Sequence, residues 1–120
     1  MKRVHLVSLG CPKARVDSEH MLARLQAAGY GLCAQARSAD AIVINTCSFL
    51  QASTQESIDT ILELADHKQN GRCRCLVVTG CLPSRYGAEL PPELPEVDAF
   101  LELNELDRLV DVLDAKLYKR

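Results

Sequence analysis

What this sequence lacks narrows what it can be. Aromatic residues make up only 4% of the 120, so the platforms on which single-stranded bases stack are scarce. No charge of one sign dominates. The formal net charge is −2 and the pI about 5.9, which leaves no electrostatic footprint for DNA or RNA over the chain as a whole. No apolar run approaches the ~20 residues of a membrane span; Ala41-Ile42-Val43-Ile44 is typical of the uninterrupted stretches. The basic start Met1-Lys2-Arg3 leads into a segment broken by His5, Ser8 and Gly10, with no A-x-A cleavage signal, so a soluble cytoplasmic chain is expected. No C-x-x-C occurs, which removes the main support for zinc-ribbon or thioredoxin-like chemistry. Internal repeats and low-complexity segments are also absent.

What is present fits one ordinary domain over residues 1–120, large enough for a core without disulfide or metal staples. Hydrophobic residues at 48% and charged ones at 25% are globular usage. Six cysteines in a reducing compartment then read as metal ligands, catalytic thiols or buried small hydrophobes.

Hydrophobic periodicity predicts alternating strands and helices. Arg3 to Leu9 reads as a strand. Asp17-Ser18-Glu19 looks like a helix start, with Met21, Leu22, Leu25 and Ala28 on one face and Gly29 as the terminating residue. A short strand over Tyr30 to Ala34 and a stronger one over Ala41 to Thr46 follow, the latter apolar enough to be buried on both faces. Ser53-Thr54-Gln55-Glu56 forms a capping box for a helix that turns Ile58, Ile61, Leu62 and Ala65 inward and ends near His67. Cys75 to Thr79 is a further apolar strand, followed by a helical turn around Ser84 to Leu90 and the connector Pro91-Pro92-Glu93-Leu94-Pro95. Ala99 to Leu103 is a last strand, and Asn104 caps a final helix carrying Leu106, Leu109, Val110, Leu113 and Leu117. The helix between the second and third strands is degenerate. This alternation builds an α/β domain, an open parallel sheet of about five strands with helices on both faces. In the flavodoxin-like order 2-1-3-4-5, strands one, three and four are neighbours.

That adjacency gives three cysteines a common address. Ser8-Leu9-Gly10-Cys11-Pro12-Lys13, Ile44-Asn45-Thr46-Cys47-Ser48 and Val78-Thr79-Gly80-Cys81-Leu82-Pro83 each place a thiol between an apolar strand and a helix start. Ligands bind open α/β sheets at such carboxyl ends. The outer two of three adjacent strands lie ~10 Å apart, within reach of one small inorganic core. A cluster held by three thiolates would leave one iron open to a small molecule. The same pattern is compatible with buried small hydrophobes at strand ends. A phosphatase-type loop would need an arginine six residues after the cysteine; Asp17, Ser53 and Gly87 stand there instead. The three cysteines are 36 and 34 positions apart, unlike any compact metal finger. Cys33, Cys73 and Cys75 read as packing residues, with Cys73 and Cys75 pointing to one face of a strand. His5, His20 and His67 lack ligand spacing.

These segments, with Val16-Asp17-Ser18-Glu19, Arg85-Tyr86 and Pro95-Glu96-Val97-Asp98, resemble the N-terminal domain of the radical-SAM methylthiotransferases over nearly the whole chain. Members that modify tRNA adenosine usually have Gln-Met-Asn after the first cysteine. Cys-Pro-Lys and Asn-Thr-Cys-Ser-Phe here are closer to the branch that methylthiolates an aspartate β-carbon of a small-subunit ribosomal protein. Ala14 and Glu102 depart from the usual asparagine and glycine of that branch. The resemblance implies that Cys11, Cys47 and Cys81 bind an auxiliary 4Fe-4S cluster and that the sheet carries no flavin; from its charge and its few aromatics, this domain is not expected to bind nucleic acid itself. The family's second 4Fe-4S cluster and SAM belong to a domain with a C-x-x-x-C-x-x-C motif, which this chain does not contain. That radical-SAM domain, expected to partner this one in the same polypeptide, and a C-terminal RNA-binding-type domain are thus expected outside it. No catalytic residue is expected within it, and alone it is expected to be inactive. The alternatives are a domain of the tRNA branch and a non-enzymatic α/β binding module.

Overall fold

A computed structural model of the chain describes residues 2–9, 12–46, 51–86, 92 and 94–117, with side chains at 12–15, 17, 51–54, 69, 70, 81, 84, 86, 103, 104 and 106 outside that description. The elements run β1 (Arg3–Ser8), α1 (Pro12–Ala27), β2 (Gly31–Leu32), a 3-10 turn (Ala36–Ser38), β3 (Ala41–Thr46), α2 (Gln51–Asn70), β4 (Cys75–Gly80), α3 (Cys81–Tyr86), β5 (Ala99–Leu101), a 3-10 segment (Leu103–Arg108) and α4 (Leu109–Leu117). The strands form one sheet in the order β2-β1-β3-β4-β5, and every pairing is parallel. The expected flavodoxin-like arrangement is therefore what the chain adopts.

The near-continuous apolar runs of β3 and β4 are explained by their place in the middle: every residue of both is buried. Alternation sends their side chains into two cores. Val43 and Val77 meet Met21 and Leu25 of α1 and Leu109 and Leu113 of α4 on one face. Ile42, Ile44, Leu76 and Val78 meet Ile61 of α2 and Leu82 of α3 on the other. Each such fully buried aliphatic side chain contributes roughly 1.5–3 kcal/mol relative to exposure.

Several boundaries differ from expectation for identifiable reasons. Helix α1 begins already at Pro12, because proline's fixed φ suits the first helical position and its absent N–H is not needed there. Ser18 is therefore inside the helix and buried, not its cap. Gly29 does end it, at φ +95, with Tyr30 N–H reaching back to Leu25 O at 3.0 Å. Helix α2 begins at Gln51 and extends to Asn70, which places the expected capping box in its first turns. Its inward stripe is Ser57, Ile58, Ile61, Leu64 and Ala65, and Leu62 is half exposed. The last helix starts as a tighter 3-10 segment before becoming α-helical at Leu109. Strands β2 and β5 are shorter than expected, as edge strands commonly are. The turn expected around Ser84 to Leu90 begins at Cys81, and residues 87–91 lie outside the described residues. Cys73 and Cys75 do not share a face: Cys73 sits in the α2-side core and Cys75 in the α1-side core. The strand starts only at Cys75, so period-two alternation does not reach back to Cys73.

The amino edge of the sheet is closed by two aspartates used in the same way. Asp40 Oδ2 accepts the Arg3 N–H at 2.9 Å, and Asp98 Oδ2 accepts the Leu76 N–H at 2.8 Å. Asp98 also takes the Lys68 ammonium at 2.6 Å, with side chains 23% and 17% exposed for lysine and aspartate. Replacing Asp98 by Ala leaves the Leu76 N–H unmatched and removes the ion-pair partner of Lys68, which keeps its hydrogen bond to Glu96 O at 3.2 Å, and is expected to cost ~1–3 kcal/mol. Lys68→Met, which removes only the partly solvated charge, should cost less, about 1 kcal/mol or below. Urea denaturation of both variants checks the order; equal losses would contradict it.

Candidate functional site

The carboxyl ends of β1, β3 and β4 are level. Ser8 pairs with Asn45 and Asn45 with Thr79, and Thr46 pairs with Gly80. Leu9 continues the ladder by donating to Asn45 O at 2.9 Å. With a ~4.8 Å strand spacing, the outer pair of these three ends is ~10 Å apart. From them the chain runs directly into Cys11, Cys47 and Cys81. Cys81 is the first residue of α3; its side chain, and Cys11 and Cys47 altogether, lie outside the described residues.

The residues just before those cysteines interlock. Thr46 Oγ1 donates to Thr79 O at 2.7 Å and accepts the Leu82 N–H at 3.1 Å, so a hydroxyl on β3 satisfies a first-turn donor of α3. Asn45 Nδ2 donates to Ser18 Oγ at 3.0 Å, tying β3 to α1. Gly80 takes φ +98 and lies so close to β3 that a Cβ there would be 2.5 Å from Asn45 Oδ1 and 2.6 Å from Thr46 O. Sequence reasoning takes Ser18 as part of a helix start and Asn45, Thr46, Thr79 and Gly80 only as flanks of the cysteines, and gives none of them a role at the site. The available signal was polarity where it is costly: Asn45, Thr46 and Thr79 are the polar residues of two fully buried strands, and a buried polar group needs a partner or a purpose.

The other cysteines are deployed differently. Cys73 and Cys75 are buried, and Cys33 is half-buried beside the edge strand β2. Burial pushes the Cys75 thiol up to about 12, with the negative charge of Asp98 and then Cys73 adding to it; burial also raises Cys73. Such thiols are inert packing groups at neutral pH. Of the histidines, His5 Nδ1 lies 3.0 Å from Cys33 O. Among the described residues, no three His, Cys, Asp or Glu side chains gather into a metal site, and no helix is long and apolar enough to cross a membrane.

Residues 3–102, which hold the whole sheet and all three cysteine segments, match the model of a family described as uncharacterized protein family UPF0004. The chain belongs to this family. Among curated proteins, it is 54% identical over 115 residues to the ribosomal protein uS12 methylthiotransferase RimO of Geobacter sulfurreducens, covering 96% of this chain and 26% of that protein. It is 52% identical over 115 residues to the RimO of Geotalea uraniireducens, again 96% and 26%. With the RimO of Myxococcus xanthus it shares 50% over 119 residues, 99% of this chain and 25% of that one. The methylthiotransferase resemblance of the cysteine segments is thus matched by relatives of that name. This UPF0004 chain spans about a quarter of the length of the curated relatives it matches.

Proposed function

We propose that this chain is the N-terminal, auxiliary-cluster domain of a methylthiotransferase that modifies the small-subunit ribosomal protein uS12 in the cytoplasm. The observation that carries the reading is the level, adjacent placement of the β1, β3 and β4 carboxyl ends, each leading at once to a cysteine. Cys11, Cys47 and Cys81 would be the ligands of a 4Fe-4S cluster. Their chemistry fits: three soft thiolates suit iron-sulfur binding, and the buried Thr79 hydroxyl is a donor without an acceptor among the described residues at that edge. When bound, such a cluster supplies an iron without a protein ligand, at which a sulfur or methylthio group can be held for transfer. The chain's own work is to hold the ligand segments in place. Gly80 lets β4 press against β3, Thr46 locks the start of α3, and Asn45 ties both to α1. Radical generation from SAM, with a second 4Fe-4S cluster, and substrate recognition would lie in further domains of the same polypeptide.

Anaerobic reconstitution tests the ligand set. Iron and sulfide should approach about four each per chain. Cys11→Ala, Cys47→Ala or Cys81→Ala should abolish loading, and Cys33→Ala, Cys73→Ala or Cys75→Ala should leave it intact. Equal loss in the second trio, or no loading of the unaltered chain, would leave a non-enzymatic α/β module as the better description. With the SAM-binding domain attached, methylthiolation of uS12 is expected; modification of tRNA instead would transfer the domain to the other branch.

A further inference from the structure

On the α1 face of the sheet, Leu6, Val43, Val77 and Ala99 form a wholly apolar row across four strands. The next row toward the carboxyl edge is Ser8, Asn45, Thr79 and Leu101, so the sheet turns polar in one step. Each polar member precedes a cysteine: Ser8 stands before Cys11, Asn45 before Cys47 and Thr79 before Cys81. Ser8 is exposed and can use water, and Asn45, 1% exposed, donates to Ser18. Thr79 is different. It is 0% exposed, and its Oγ1 has no hydrogen-bond partner among the described residues. A valine would fill the same space without burying an unmatched hydroxyl, so the fold alone gives no reason for threonine. A ligand rich in acceptors beside the carboxyl edge does give one.

We propose that the Thr79 hydroxyl is a hydrogen-bond donor to the sulfur of the group held by Cys11, Cys47 and Cys81, and that it sets the reduction potential of that group. This rests on the cluster reading above. Thiolate and sulfide sulfurs carry negative charge, which grows on one-electron reduction. A donor aimed at sulfur therefore stabilises the reduced state more than the oxidised one and raises the potential. Thr79 acts on the cluster as a tuning group and is not a ligand.

The test uses this chain and its Thr79→Val and Thr79→Ser variants, reconstituted anaerobically and titrated with dithionite in the presence of redox mediators. Near the midpoint of the unaltered chain, Thr79→Val should lower the reduced-to-oxidised ratio by about tenfold, equivalent to ~59 mV for a one-electron couple. Thr79→Ser, which keeps the donor, should stay close to the unaltered chain. In the metal-free state Thr79→Val should melt no lower than the unaltered chain, because it removes a hydroxyl with no hydrogen-bond partner among the described residues. An unchanged potential in the valine variant, a serine variant that behaves like valine, or a lower metal-free melting temperature for valine would each overturn the proposal while the cluster reading stands. Failure of the unaltered chain to load iron would overturn the cluster reading and this inference with it.

Discussion

Gly80→Ala should cost ~2–5 kcal/mol of folding stability, from about 1–2 for a side chain at positive φ and 1–3 for the overpacked contact. The contact is severe because little around it can yield. The new Cβ would face Asn45 Oδ1 at 2.5 Å, Thr46 O at 2.6 Å and Thr46 N at 2.9 Å. Two of these are backbone atoms of a central strand, and the third belongs to a side chain already bonded to Ser18. Gly29 supplies an internal control. It has nearly the same φ, +95, but nothing within 4 Å of the position its Cβ would take. Gly29→Ala should therefore show the conformational cost alone, about 1–2 kcal/mol. The difference between the variants in urea midpoint, at constant m, isolates the contact. Equal losses would mean that β3 and β4 do not press together here as described.

The second large effect is alkaline. The Cys75 thiol ordinarily titrates near 9.0, and burial first, then Asp98 and Cys73, pushes it up to about 12 in the folded chain. Between those values the unfolded chain has released the proton and the folded chain has not. The unfolded state binds fewer protons, so stability falls as pH rises from about 9 toward 12. The slope approaches ~1.4 kcal/mol per pH unit for this one group. Cys73 is raised by burial as well and acts in the same sense. Lysines and tyrosines titrate in this range too, so the informative quantity is the comparison with Cys75→Ala. That variant should begin less stable, from the void it leaves, but lose about 1.4 kcal/mol less between pH 8 and 10. Parallel curves for the two proteins would contradict the assignment.

How much of this could be read in advance depends on whether a residue's role is local. The apolar, β-branched stretches over residues 41–46 and 75–79 announce central parallel strands, and that suffices to make β1, β3 and β4 neighbours. Gly29 ends α1 by its own conformational freedom, and it too was legible. Ser18 was not. Asp17-Ser18-Glu19 carries every local mark of a helix start, yet the hydroxyl is committed to Asn45, 27 positions away. Spacing assigns Leu62 inward, but the face that meets the sheet carries Leu64 and leaves Leu62 half exposed. The two sides of Cys73-Arg74-Cys75 required knowing where β4 begins. The same holds at the candidate site. The cysteines are visible as motifs, but the supports beneath them arise from register between strands more than thirty residues apart.

The grip of Thr46 on Thr79 and Leu82, with Gly80 lying over residues 45 and 46, bears on how such a domain can vary. Asn45-Thr46 and Thr79-Gly80 are two halves of one joint, separated along the gene but meeting in space. A change on one side is tolerable only if the other side already fits it. Substitutions here should therefore be inherited in pairs, and a recombination breakpoint between positions 46 and 80 would join halves shaped for different mates. Breakpoints ahead of β3 or beyond α3 would carry the joint across whole.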